Sequence, residues 1–434
     1  MHAFKPSKLH QLWLNDGTTR RPYHICRTKA DVLWLMGRWQ ESEPIYRRNV
    51  AWAAASGDPA LASQSLTDLG WVLSLRGGAV EALELLGRAE VIFRHLGDDK
   101  GLACALRYSG NVLQRGGDSG RALEFYLRSL AVSRRCGDED NTAGTLNSIG
   151  NIESQRGDYQ GALDSFHQAL EIQQRLGSSS KQAVIVGNIG VAYGEMRDFG
   201  KAMSAFQRVA ALSSEAGDKL QQAAALGNMT VLHFLLGEYP VALENAQQRI
   251  AIAHEIGDDK GRCISLSHLG MIHAARQDHD QAMDYLEQAI AIARIQGIHY
   301  FLKDFLVQMA ESRIAARDPG RADIALSEAR TLASQMSDAP GLLKCRKLAA
   351  DIAAFTDPGT AASQLEALLP EVPDQALQAD IHAALFTLKG TASHRETAAA
   401  LYRTLFEQTR AVEFAEKLDR LLNTPSAAPA AGPQ

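Results

Sequence analysis

Asparagines and arginines at related spacings are the side chains here that best suggest binding chemistry. Asn111, Asn147 and Asn151 each carry an amide with donors and an acceptor, and a ladder of such amides can grip the backbone of an extended peptide. Arg107 and Arg115 flank Asn111, and an arginine can pair with a carboxylate through two parallel hydrogen bonds. His268, His273 and His279 raise the question of a metal. Their spacings of five and six residues do not put three ligands on one helical face, and no Asp or Cys cluster accompanies them, so no metal site is expected. No GxSxG, P-loop, HExxH or strand-linked GxGxxG motif occurs. Gly116-Gly117-Asp118-Ser119-Gly120 is glycine-rich but falls in a turn between helical segments. The expectation is a protein without enzymatic activity or cofactor, an enzyme with an unfamiliar site being the remote alternative.

These residues sit in a chain of 434 residues with 46% hydrophobic and 22% charged content, enough apolar material for a large core. The formal charge of −5, from 45 basic and 50 acidic residues, argues against binding to nucleic acid through phosphate contacts. No run of apolar residues is long enough to span a membrane, and no secretory signal is visible at the N-terminus. Five scattered cysteines, Cys26, Cys104, Cys136, Cys263 and Cys345, read as reduced thiols in a cytoplasmic protein. Arginine outnumbers lysine 32 to 13, which fits a bacterial source of high GC content.

What positions the polar residues is a repeat of forty residues. Glycine recurs at 57, 97, 137, 177, 217, 257 and 297, usually followed by aspartate. Thirteen residues on, a small residue recurs as Gly70, Gly110, Gly150, Gly190, Thr230, Gly270 and Ala310. Twelve residues later comes an alanine, from Ala82 through Ala122 and Ala162 to Ala322. Within one unit, Leu146, Ile149 and Ile152, then Ala162, Phe166, Ala169 and Ile172, carry helical spacing, with Gly157-Asp158 between them and Gly177 at the end. Each unit therefore reads as two helices. The absence of proline between Pro59 and Pro240 agrees. The small residues are expected where paired helices approach closely, and stacked hairpins bury what one hairpin cannot.

The pattern Leu-x-x-x-Gly, Gly-Asp-Tyr, Ala-x-x-x-Phe-x-x-Ala, complete in Leu146, Gly150, Gly157, Asp158, Tyr159, Ala162, Phe166 and Ala169, resembles the tetratricopeptide repeat. The forty-residue form is similar to that of Pins-type regulators, kinesin light chains and bacterial signalling arrays. The resemblance implies an all-α, right-handed superhelical solenoid of antiparallel helix hairpins. The organisation read from it is an N-terminal segment 1–23, a degenerate first repeat 24–57, seven repeats over 58–336, a divergent helical cap 337–423, and a disordered tail 424–434. All five tryptophans, Trp13, Trp34, Trp39, Trp52 and Trp71, lie in the first 71 residues, where they are expected to pack the degenerate unit.

The resemblance also implies that the first helix of each hairpin lines a concave groove, and that residues beside its small marker residue point inward. Those positions hold Arg107, Asn111, Arg115, Asn147, Asn151, Gln155, Asn188, Tyr193, Asn228, His233, His268 and His273. Related grooves often read a carboxylate with lysines and asparagines. Arginines but no matching lysines occur here, which speaks against the chaperone-tail clamp and leaves an anionic peptide open. The expected partner is another protein or a peptide, without nucleic acid or membrane insertion. The expected function is an interaction scaffold or adaptor. The alternative is a regulatory sensor that changes shape around a signal peptide or small ligand.

Overall fold

Gly-Asp recurs because one residue ends a helix and the next starts another. At Gly137 the backbone turns to φ +68°, a left-handed conformation that disfavours residues with a Cβ, and Asp138 then accepts a hydrogen bond from the amide of Asn141 at 3.1 Å. Asp98 and Asp258 cap their helices in the same way. A second aspartate series, Asp118, Asp158, Asp198, Asp278 and Asp318, caps the second helix of each hairpin. Asp158→Ala is expected to destabilise its hairpin by about 1 kcal/mol, measured by urea denaturation.

The computed structural model describes residues 20–35, 39–75 and 77–424. The described residues form twenty-one α-helices and no strand. The first unit of the chain holds α1 (Arg20–Leu35), α2 (Trp39–Ser56), α3 (Pro59–Leu75), α4 (Ala79–Leu96), α5 (Asp99–Arg115), α6 (Ser119–Cys136), α7 (Glu139–Gln155) and α8 (Tyr159–Arg175). The compact units are residues 1–188 and 189–434, and the boundary falls inside α9 (Ser179–Glu195). Unit 2 continues with α10 (Phe199–Ala216), α11 (Lys219–Leu235), α12 (Tyr239–Ile256), α13 (Asp259–Ala275), α14 (His279–Ile295), α15 (His299–Ala315) and α16 (Pro319–Gln335). It ends with α17 (Ala339–Ala353), α18 (Pro358–Leu368), α19 (Gln375–Lys389), α20 (Ala392–Thr409) and α21 (Val412–Asn423). Residues 1–19, with Trp13, and the tail beyond 424 lie outside the described residues, as do the side chains of Trp34 and Trp39.

The small-residue columns lie inside the hairpins. A Cβ on Gly150 would stand 2.6 Å from the ring of Phe166, and one on Gly110 would stand 2.5 Å from the ring of Tyr126. The marker glycine therefore makes room for the large residue of the second helix. The alanine column brings backbone close as well, since a Cβ on Gly270 would lie 3.2 Å from the carbonyl of Ala282. Where the marker is Thr230, the opposite residue shrinks to Ala246, and both are buried. Volume is conserved across the contact while the residue types change places.

Leu66, Leu69, Leu86, Phe93 and Leu106 form part of the unit 1 core, and Leu266, Leu286, Phe305, Leu306 and Leu326 part of that of unit 2. Trp52 packs beside Tyr23, Ala53 and Leu61. Unit 2 also contains one contact between elements far apart in sequence. Leu235 packs into the cluster of Phe386, Tyr402, Phe414 and Leu421, Tyr239 donates a hydrogen bond to Glu416 at 3.3 Å, and Gly237 lies beneath Val412. The α11–α12 turn and α21 thus form a clasp. Among the described residues no helix is long and apolar enough to cross a membrane.

Candidate functional site

In the first helix of a hairpin, one stripe is consumed by the core and the remainder carries half-buried and exposed side chains. In α5 the buried stripe includes Leu102, Leu106, Ser109, Gly110 and Leu113, which leaves Arg107, Tyr108, Asn111 and Gln114 half-buried and Arg115 exposed. The scaffold orients these polar groups from behind. Tyr126 of α6 directs its hydroxyl at Asn111 Oδ1, 2.7 Å away, and Gln114 Oε1, 2.8 Å away. Burial pushes the Tyr126 phenol up to about 12, so it stays a protonated donor. In α7, Asn147 Oδ1 accepts from Asn188 Nδ2 at 2.9 Å. Arg107 Nε donates to Asn141 Oδ1 at 2.7 Å, and its guanidinium lies over the Tyr108 ring. Trp71 stacks on Tyr108 with centroids 4.7 Å apart, and the Arg115 guanidinium carbon lies over the Trp71 ring, 5.3 Å from its centroid. Asn151, half-buried, and Gln155, exposed, make no hydrogen bond to described residues through their side chains.

The unit 1 wall is therefore biased toward donors. The carbonyl oxygens of Asn111 and Asn147 are occupied from within, and their Nδ2 groups have no partner among the described residues. Each bond favours the amide orientation that turns Nδ2 away from it, the Tyr126 hydroxyl sharing its one proton between Asn111 and Gln114. The structure brings Arg107, Asn111 and Arg115 together on α5, and places Asn147, Asn151 and Gln155 on α7 with Asn188 bonded to Asn147. Asn188 is thereby a support for Asn147.

Unit 2 differs. Tyr193 leans into the cluster of Phe199, Met203 and Met229, with the Lys201 ammonium 5.1 Å from its ring centre. Asn228 is half-buried on α11. His233 pairs with Glu238 across its hairpin turn. His273 is buried, faces Asp278 at 3.4 Å and stacks on Tyr285, so its ring is engaged inside its own hairpin rather than on an open wall. His268 is half-buried, with Nδ1 shut off from solvent and unpartnered. Burial, and then the nearby Arg249 guanidinium, push the His268 imidazole down to about 4, so it is neutral at physiological pH. Among the described residues no group of three His, Cys, Asp or Glu side chains is placed to hold a metal ion, and all five cysteines are free thiols.

Two features of unit 2 escape the sequence reading. The first is a charged network: Lys344 pairs with Glu311 at 3.0 Å, Lys347 with Asp351 at 2.6 Å, and Lys417 and the Tyr402 hydroxyl converge on Asp380 at 2.9 and 2.7 Å. Burial opposes the charge on Lys347, but Asp351 and Asp380 outweigh it and hold its pKa above the ordinary lysine value. The signal was in the repeat register. Lys347 falls on the position of Arg107 and Asn147, and Glu311 and Asp351 on that of Asn111 and Asn151. The second is Arg249, which stands in a column otherwise filled by Ala89, Ser129, Ala169, Val209, Ala289 and Ala329.

Comparison with known proteins gives these observations a setting. A family model described as tetratricopeptide repeat matches residues 23–94, 101–175 and 221–295. A model described as anaphase-promoting complex subunit 5 matches residues 271–349. No curated protein matches the chain by sequence. Among solved structures, the apo form of RapI superposes with a TM-score of 0.58 at 14% identity, covering 82% of this chain and 98% of that one. A Rap protein complexed with competence and sporulation factor gives 0.57 at 13% identity, covering 83% and 99%. The apo quorum sensor NprR from B. thuringiensis gives 0.53 at 14%, covering 80% and 99%. At such identities the likeness is one of fold.

Proposed function

Because this chain belongs to the tetratricopeptide repeat family, we propose that it is a protein-interaction scaffold that holds a segment of a partner protein or peptide against its first-helix walls. The observation that carries this reading is the fixed orientation of the unit 1 amides. With Oδ1 of Asn111 and Asn147 tied to Tyr126 and Asn188, the Nδ2 donors are presented outward. A row of donors suits the carbonyl oxygens of an extended chain, and Arg107 and Arg115 add attraction for acidic side chains. The contact is non-covalent, and the scaffold contributes by holding the donors still before binding. A bacterial, cytoplasmic setting fits the composition and the reduced cysteines.

Selection of a random linear peptide library on the full chain tests this. Enriched peptides should lose about tenfold or more in affinity to Asn147→Ala/Asn151→Ala, at an unchanged melting temperature. Tyr126→Phe, which removes the hydroxyl that orients Asn111 and Gln114, should weaken them by a smaller factor. Failure to enrich any peptide, or equal affinity for the double variant, contradicts the reading.

The clasp favours a second reading, a regulatory sensor. A ligand that acts on the α11–α12 turn and α21 would change unit 2 through one separable contact. The similarity to a quorum sensor's fold agrees with this reading. Ligand-dependent hydrogen exchange confined to residues 235–241 and 412–421 would support it, and ligand binding that leaves both segments unchanged would not.

A further inference from the structure

Arg249 is an arginine in a place built for a small residue. Its helix, α12, packs against α11 and α13, and the equivalent position in the other repeats holds alanine, serine or valine. Room for the side chain comes from α11. Gly227 is buried, and a Cβ there would stand 2.7 Å from Arg249 Nη1 and 2.9 Å from Cζ. The guanidinium thus lies flat in the notch that the missing side chain leaves.

Among the described residues this cation has no hydrogen-bond or ion-pair partner. Arg27 has Asp68, Arg107 has Asn141, and Arg313 has Glu287 and Asp318. Arg249 forms no ion pair or hydrogen bond with any described residue through its side chain, and its Nε is buried without an acceptor. Burial holds its pKa below the ordinary arginine value, with Asp258 only partly opposing this, and even so the group remains charged. On the next helix, α13, His268 feels the Arg249 charge, and its buried Nδ1 also lacks a partner. Polar atoms shut off from solvent in a folded interior are normally paired, and these two are not.

We propose that Arg249, seated on Gly227 beside His268, is an anchor for a carboxylate of a bound ligand in unit 2. The chemistry selects the class. A guanidinium presents a planar fork that matches the two oxygens of a carboxylate. With the imidazole neutral and the Asp258 carboxylate acting on Arg249, the site offers at most one positive charge, which suits a monoanion better than a phosphate dianion. Asn228 on α11, half-buried one residue beyond the notch, adds an amide to the same neighbourhood. This site is built from residues of unit 2 alone and does not depend on the function read from unit 1.

The test uses the full chain labelled with nitrogen-15 at histidine, the His268 resonance being assigned by its disappearance in His268→Gln. Acetate at constant ionic strength should shift that resonance saturably, and acetamide, its neutral analogue, should not. Inorganic phosphate should saturate more weakly than acetate. N-acetylglycine binding more tightly than acetate assigns the group to a chain terminus, and N-acetylaspartate methylamide doing so assigns it to an acidic side chain. Arg249→Met should weaken the acetate response about tenfold or more. Arg249→Val, which copies the Gly187 and Val209 combination of the preceding repeat, gives a second variant with a precedent in this chain. An absence of saturable shift with every carboxylate, phosphate binding at least as tightly as acetate, or an equal response in both variants overturns the proposal. None of these readouts involves a peptide selected on unit 1, so their failure leaves the scaffold reading standing.

Discussion

Phe166→Ala is expected to destabilise unit 1 by about 3–5 kcal/mol, and Gly150→Thr by about 1–3 kcal/mol, yet the two together should do less harm than their sum. The first deletes a ring that is 1% exposed, leaving a hole in the hairpin. The second puts a Cβ 2.6 Å from that same ring, which has no free space to retreat into. Combined, they recreate the Thr230 and Ala246 pair that the chain already uses two repeats later. Direct neighbours of this kind couple, and a coupling of about 1–3 kcal/mol in the favourable direction is expected. Urea denaturation of the four proteins of the cycle measures it. Strict additivity would mean that marker residue and facing residue do not share one volume.

The second large effect is on acid stability. His268 has an ordinary pKa of 6.5 that burial, and then Arg249, push down to about 4 in the folded chain. Between these values the unfolded chain binds a proton that the folded chain refuses. Stability therefore falls as pH drops from 6.5 towards 4, and this group contributes no further loss below that. At 1.36 kcal/mol per pKa unit the loss is about 3 kcal/mol across the window. His268→Asn, which installs the residue found at the matching positions 188 and 228, should remove that portion of the acid sensitivity. Denaturation midpoints of the two proteins between pH 4 and 7 decide the matter. Parallel curves would show that His268 takes its proton as readily folded as unfolded.

The helices were legible because their punctuation is local. Gly137 and Asp138 act within four residues of themselves, so spacing alone locates the turn. The hairpin contact was legible in part. Sequence register pairs Gly150 with its facing helix, but only coordinates show that the Phe166 ring, more than the Ala162 backbone, occupies the gap. The candidate binding residues were harder to read, since a half-buried asparagine can face a ligand, support a neighbour or do both. Asn188 bonds to Asn147 and leaves the Asn147 Nδ2 open, and His273 turns into its own hairpin. Reading the groove by its asparagines also led past Lys347 and Asp351, which occupy matching positions with different chemistry. Arg249 was not legible because its column, with Ser129 and Val209 among the alanines, follows no strict type, and the Gly227 that makes room for it lies on another helix.

The clasp alters how unit 2 can come apart. An array held only by neighbours frays from its free end, one hairpin at a time. Here Tyr239 and Glu416 are 177 positions apart, and Leu235 shares a cluster with Phe414 and Leu421. The last hairpins cannot peel back without uncovering Leu235 and releasing Tyr239 in the same event. The stretch from α12 to α21 is thereby joined into one cooperative opening unit, and α21 inherits the protection of the α11–α12 turn.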